Sequence, residues 1–264
     1  MSKQTGLIKL KGNLGGISFF QSEGKHLAKM ASGPDKERIL KDARFQRTRE
    51  NNSEFGGSAI AAKAFRHAFA PVISMADARF SSRLTGIFKE INKKGEGIRG
   101  QRPINVSDHQ LLLVNMDFNA NRGLTTLFTG LFVATNSADR TTGTITINQA
   151  LLSKVLKAPE GATHIVFTQA LGVISDYAFD ENLQRYAPLD AALDKVNQVT
   201  DSEYIPLNSD APLSLTINSV LPGNPVLNEN VSVVQCLGVS FYQLMSSRYY
   251  PLMQASALKV VKVF

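Results

Sequence analysis

The chain has no tryptophan and a single cysteine, Cys236, among 264 residues. One thiol closes no internal disulfide and builds no zinc site by itself. Cys236 lies in the apolar run Val233-Val234-Gln235-Cys236-Leu237, which reads as a buried, inert thiol. Histidine is scarce too. His26, His67, His109 and His164 stand far apart, and none falls in a His-Glu-x-x-His pattern, so no metal site is read from them. There is no Gly-x-Ser-x-Gly elbow and no phosphate loop ending in Gly-Lys-Ser/Thr. No apolar run reaches the roughly 18 residues of a membrane span. The first eleven residues hold no apolar core of signal-peptide length. The expectation is a cytoplasmic protein that is not an enzyme, with no cofactor, no metal and no membrane contact.

What the chain does have is an uneven charge. Residues 1–104 carry 20 Lys and Arg against 9 Asp and Glu, and residues 105–264 carry 9 against 13. The formal charge of +7 therefore divides into +11 and −4. This predicts two regions: a basic leader over 1–104 and a β-patterned body over 105–264.

The body holds an internal repeat. Gln169-Ala170-Leu171-Gly172-Val173 returns as Gln235-Cys236-Leu237-Gly238-Val239, and Arg185-Tyr186-Ala187-Pro188-Leu189 returns as Arg248-Tyr249-Tyr250-Pro251-Leu252. Each copy reads as a strand apolar on both faces, a polar turn, and a return segment closed by proline. The repeat predicts a duplication with halves of about 105–192 and 193–264 sharing one core. Further strands are predicted over 110–118, 127–135, 143–147, 163–173, 212–218, 231–242 and 257–264. A short helix is predicted over 148–156 with Asn148 as its cap. Regularly spaced strands point to an antiparallel β-sandwich.

The leader reads differently. Segments 7–11 and 17–20 flank Gly12-Asn13-Leu14-Gly15-Gly16, a hairpin in which Gly12, Gly15 and Gly16 supply positive φ. Residues 34–51 are charged and partly helical. Residues 55–69 and 77–92 read as amphipathic helices, with Ile60, Ala64, Phe65, His67 and Ala68 at helical spacing in the first and Phe80, Leu84, Ile87, Phe88 and Ile91 in the second. Residues 94–102 read as a linker. The fold expected overall is mainly β, an antiparallel sandwich preceded by a hairpin and two to three helices.

Acidic residues offer little chemistry. Asp176, Asp180 and Glu181 read as a solvated turn, and Asp117 closes a strand. A phosphate cradle at Gly12, Gly15 and Gly16 is explained as well by a tight turn. The one suggestive cluster is basic: Lys36, Arg38, Lys41, Arg44, Arg47 and Arg49, with Phe45 among them and Phe55 following. Such a stretch neutralises phosphates without reading sequence. Acidic residues are interleaved, however, and pairs such as Glu37–Lys41 sit at i,i+4 spacing. Dedicated nucleic-acid arms are blocks of one sign. The same residues therefore read first as a protein-docking arm. No small-molecule site is read, because no aromatic platform is visible along the sequence.

Lys9-Leu10-Lys11-Gly12-Asn13-Leu14-Gly15-Gly16-Ile17-Ser18-Phe19-Phe20, then Arg47-Thr48-Arg49-Glu50-Asn51 and Glu54-Phe55-Gly56, resemble an uncharacterised protein family common in Bacteroidota. That family's leader runs Lys-Gly-x-x-Gly-x-x-Ser-Phe-Tyr and is followed by a β-rich part. Phe20 stands here where the family has Tyr, and Pro159-Glu160-Gly161-Ala162-Thr163-His164 also looks like the family. The resemblance implies kinship and brings no activity with it. Comparable leaders in small phage-like proteins point toward assembly. The expected function is a structural protein that forms a homo-oligomer (a ring, a filament or a particle component) through its N-terminal region. The alternative is a nucleic-acid-binding protein using the same basic residues.

Overall fold

A computed structural model describes residues 1–30, 34–252 and 255–264. The chain divides into two compact units, Met1–Arg49 and Glu50–Phe264. Among the described residues no helix is long and apolar enough to cross a membrane.

The first unit contains β1 (Ser2–Lys3), β2 (Gly12–Leu14), β3 (Ile17–Ser22) and β4 (Lys25–Met30), in one antiparallel sheet ordered β1-β4-β3-β2. Two tight turns make it. Gly15 and Gly16 (φ 55° and 77°) join β2 to β3, and Glu23 and Gly24 (φ 49° and 75°) join β3 to β4. Positive φ at both central residues matches the strand twist. Gly12 also has positive φ (116°), at the start of β2. Segment 7–11 is not a strand. Gln4 Oε1 accepts from Leu10 N and its Nε2 donates to Leu10 O, while Lys9 Nζ donates to the carbonyls of Gln4 and Gly6. These side-chain bonds satisfy the backbone locally and close a loop instead. Helix α1 (Lys36–Lys41) follows, capped by Asp35, whose side chain accepts from Arg38 N at 2.7 Å.

The second unit is built on long strands. Helices α2 (Gln46–Ala68) and α3 (Phe80–Lys94) come first, then α4 (Leu124–Leu127), β5 (Phe132–Asn136), β6 (Thr142–Ala150) and α5 (Leu152–Val155). They are followed by β7 (His164–Ser175), β8 (Tyr177–Asp180), β9 (Arg185–Pro188), β10 (Asn197–Asp201), β11 (Ile205–Pro206) and β12 (Leu213–Val220). The chain ends with β13 (Val231–Met245), β14 (Arg248–Pro251) and β15 (Ala257–Val263). Strands β10, β7, β13 and β14, with β11 on β7 and β15 on β13, form a six-stranded antiparallel sheet. Strands β12, β6 and β5 form a second, three-stranded sheet, and β8 pairs with β9.

The repeat pairs with itself. Ala170 lies opposite Cys236, Gln169 opposite Leu237, and Leu171 opposite Gln235, so the two copies run side by side about a local two-fold axis. Successive residues point to opposite faces. Ile165, Phe167, Leu237, Val239 and Phe241 pack with Ile145, Ile147 and Ile217 of the three-stranded sheet. Ala170, Ile174, Val234 and Cys236 pack with Phe65, Phe69, Phe80, Leu84 and Phe88 from the helices. The six-stranded sheet thus has a sheet on one face and helices on the other, which explains its apolar character on both. Burial pushes the Cys236 thiol pKa up, so the group is an inert core element.

Both repeat signatures have a packing reason. Gln169 Nε2 donates to Gly143 O (2.7 Å) and Gln235 Nε2 to Thr144 O (3.2 Å), tying both central strands to β6. A Cβ on Gly143 would lie 3.0 Å from each amide nitrogen. A Cβ on Gly172 would lie 2.7 Å from Phe69 Cζ, so that glycine lets α2 approach.

Several expectations change. The boundary after 104 does not match the compact units, because the stripes of α2 and α3 are buried in the body's own core. They need no sister molecule. Helix α2 starts earlier than expected, and its buried stripe is Gly57, Ala61, Ala64, Phe65 and Ala68, while Ile60 and His67 lie outside it. Residues 94–102 are not a free linker, since Arg102 and Gly100 both bond Glu54. Residues 110–118 form a 3-10 turn (Gln110–Leu112) and a loop along β15 rather than a strand. Asn115 (φ 70°) breaks the extended path, and Leu111 is exposed. Strand β6 runs on to Ala150, leaving only the short α5 where a helix capped by Asn148 was expected. Asp176 is not in a solvated turn: it is buried, accepts from Ser107 N at 3.0 Å, and burial raises its pKa.

Candidate docking surface

Residues directly opposite in antiparallel strands share a face of the sheet. In the first unit this sorts the side chains into two unlike faces. Leu14 pairs with Ile17, Ile17 with Met30, and Phe19 with Ala28. These five make one apolar face, extended by Gln21 and His26. Ser18 pairs with Lys29, Phe20 with Leu27, Ser22 with Lys25, and Lys3 with Leu27. The second face is therefore basic, and Lys29 Nζ sits 5.6 Å from the centre of the Phe20 ring.

Within its own unit the apolar face has no covering layer among the described residues. None of the described residues of Met1–Arg49 is buried. Leu14 and Met30 are 68% and 70% exposed, and Ile17 is exposed as well. A soluble sheet normally hides one face against another layer. The charge is concentrated here too. Met1–Arg49 holds 11 Lys and Arg against 4 Asp and Glu, while Glu50–Phe264 holds 18 against 18, so the net +7 belongs to the first unit.

The basic cluster read from sequence is largely committed within its own segment. Arg38 pairs with Asp42 at 3.6 Å and lies over Phe45, Lys41 pairs with Glu37 at 3.9 Å, and Arg44 pairs with Asp42 at 3.1 Å. Asp42 accepts from Arg44 N and from the Arg44 guanidinium, and these bonds hold its pKa below the usual carboxylate range. Arg49 Nη1 donates to the carbonyls of Ile39 and Asp42, both at 2.8 Å, and closes the end of α1. Lys36 is exposed on α1, and Arg47 lies in the first turn of α2. Phe55, in the second unit, is 54% exposed. The cluster is thus not one surface: its arginines shape a helix turn. Lys25 and Lys29 flank the basic stretch in sequence, but the register of β1, β3 and β4 is what puts them on one face with Lys3.

The second unit holds buried polar networks. Glu54 on α2 is 1% exposed. It accepts from Arg102 Nε and Nη2 (2.7 Å each), Lys89 Nζ (2.6 Å) and Gly100 N (2.9 Å). Burial raises its pKa, but Arg102, Lys89 and Gly100 outweigh that and bring it to about 2. Arg102 O in turn accepts from Asn92 Nδ2 and from the Tyr186 hydroxyl. Burial pushes the Tyr186 pKa up to about 12. Tyr177 OH donates to Asp194 at 2.7 Å. Each group is satisfied by neighbours, the pattern of structural pairing. An open groove of about 730 Å³ lies between α3 and residues 112–120. Its charged rim is committed as well: Arg83 bonds Asp77 and the carbonyls of Asp117 and Phe118, and Asp117 accepts from Leu124 N. Among the described residues no group of three or more His, Cys, Asp or Glu is placed to hold a metal.

Comparison with protein-family models, with curated proteins and with solved structures finds no match to this chain.

Proposed function

We propose that this is a non-enzymatic structural protein that self-assembles through the apolar face of its N-terminal sheet. One observation carries the reading: Leu14, Ile17, Phe19, Ala28 and Met30 share a sheet face, and no described residue of their unit is buried. A small sheet without a covering layer is marginal in water, and a second copy supplies the same face as cover. Two such faces meeting about a two-fold axis make an isologous contact. Lys3, Lys25 and Lys29 then point outward on both copies. Packed sheets lie about 10 Å apart, and the Debye length in physiological salt is about 8 Å. Like-charge repulsion is therefore weak in this arrangement.

The face is small. The 17 strand residues of β1 to β4, at about 3.3 Å rise and about 4.8 Å spacing, cover roughly 270 Å², below the roughly 800 Å² per partner of a standard interface. The association expected is micromolar unless further surfaces join, as they would in a ring, filament or phage-like particle. Sedimentation equilibrium across about 1–100 µM tests it. The wild type is expected to be oligomeric at the upper end, and Ile17→Lys with Met30→Lys monomeric and folded. A wild type that stays monomeric at 100 µM overturns the reading.

A second reading is favoured by the opposite face. Phe20 beside Lys3, Lys25 and Lys29 resembles a stacking and phosphate-neutralising surface for single-stranded nucleic acid. Three contacts would give a log–log salt slope of about −2. A gel shift on mixed DNA and RNA at low salt, lost in a Lys25→Gln and Lys29→Gln variant, is the expected outcome of that reading.

A further inference from the structure

At one end of the helix-bearing face of the six-stranded sheet, Leu244 and Tyr249 are exposed and Tyr242 is half-buried. His164 pairs with Tyr242, and Leu244 pairs with Tyr249. Tyr242 and Leu244 alternate to the same face as Cys236 and Val234, so these side chains continue the surface that the helices cover elsewhere. Tyr204, between β10 and β11, stacks flat on Tyr249 with centroids 3.7 Å apart and planes 2° apart. It also meets Tyr242 edge-on at 4.9 Å, and His164 meets Tyr249 edge-on at 5.0 Å. Four rings from separate segments thus form one platform. Tyr204 is 42% exposed and Tyr249 38%.

The duplication sharpens the point. Tyr249 corresponds to Tyr186 of the first copy. Tyr186 is buried against Gly57 of α2 and serves the core. Tyr249 is stacked by Tyr204 and met edge-on by His164, and stays in contact with solvent. The surroundings are acidic. Asp201 closes β10 and acts electrostatically on Tyr242, and Glu203 precedes Tyr204 in an exposed stretch. Ring faces carry negative potential, and with carboxylates at the rim they favour a cation.

We infer that the Tyr204–Tyr249–Tyr242 platform, rimmed by Asp201 and Glu203, binds an arginine or lysine side chain of a basic peptide. The cation seats over the outward face of Tyr204, and the carboxylates balance its charge. A guanidinium fits better than an ammonium because it stacks flat on a ring. The platform is separate from the N-terminal sheet and does not rest on the assembly reading.

The test uses the full chain with ¹³C-labelled tyrosine, titrated with a tetra-arginine amide in about 150 mM NaCl. The controls are a tetra-citrulline peptide and a neutral oligosaccharide. Expected are saturable shifts of the Tyr204, Tyr242 and Tyr249 rings with the arginine peptide alone. Affinity should fall at least ten-fold in Tyr204→Leu, several-fold in Glu203→Gln, and little in Tyr204→Phe, which keeps the ring. Should Tyr204→Leu fail to fold, the contrast between Glu203→Gln and Tyr204→Phe decides. Equal binding of citrulline, preferential binding of the sugar, the absence of ring shifts, or affinity untouched by Glu203→Gln overturns the inference.

Discussion

Gly57 and the ring of Tyr186 fill adjoining space: a Cβ on residue 57 would stand 2.8 Å from Tyr186 Cδ1 and nearer still to Cγ. Gly57 lies in the middle of α2, where alanine would favour the helix by about 1 kcal/mol. Tyr186 reverses that preference. Overpacking a well-filled core costs about 1–3 kcal/mol, so Gly57→Ala is expected to destabilise by up to about 2 kcal/mol net. Urea unfolding measures it, with Gly56→Ala as the control, because a Cβ at 56 meets nothing within 4 Å.

Glu54 makes stability depend on acid. Its folded pKa is lowered from 4.5 to about 2. A depressed carboxylate contributes stability in full above the unfolded pKa and loses it as pH falls through the folded one. The window is therefore about pH 4.5 down to 2, and the contribution at neutral pH is about 3 kcal/mol. Glu54→Gln leaves Arg102 and Lys89 without their partner and is expected to cost about 3–5 kcal/mol. Unfolding free energy followed from pH 7 to pH 3 should fall less steeply in the variant than in the wild type.

The turn between β13 and β14 uses serine where glycine is preferred. Ser246 and Ser247 have φ 47° and 63°, the signs a two-residue hairpin turn demands. Ser246→Asn with Ser247→Gly relieves that strain and is expected to raise stability by about 1 kcal/mol. A thermal melt of this double variant against wild type reads it directly.

The sequence revealed what depends on local pattern. The Gln-x-Leu-Gly-Val repeat and its Arg-Tyr-x-Pro return segments marked β7, β13, β9 and β14, because a strand covered on both faces is continuously apolar. The stripe of Phe80, Leu84, Phe88 and Ile91 at helical spacing marked α3, a helix apolar on one side. What escaped was non-local. Leu111, Leu112 and Leu113 looked like a strand, but a run of leucines does not show that Asn115 will turn the chain. Nothing local marks Glu54 as buried, since its partners Lys89 and Arg102 lie far along the chain. The turn at Glu23 and Gly24 was legible in principle but was overshadowed by the glycines at 15 and 16. The basic face of β3 and β4 and the tyrosine platform of Tyr204, Tyr242 and Tyr249 needed strand register, which composition does not supply. The leader read over 1–104 does not hold together as one region: α2 and α3 bury their stripes in the second unit, and Met1–Arg49 forms a compact unit by itself.

Hydrogen exchange at two protein concentrations tests the assembly account most directly. Amides of β3 and β4 are expected to exchange several-fold more slowly at about 100 µM than at about 1 µM, while those of β13 keep the same rate. The sheet's apolar face is then covered by another molecule. Equal exchange of β3 and β4 at both concentrations would contradict the account, because the exposed leucine, isoleucine and methionine side chains would have no second copy over them.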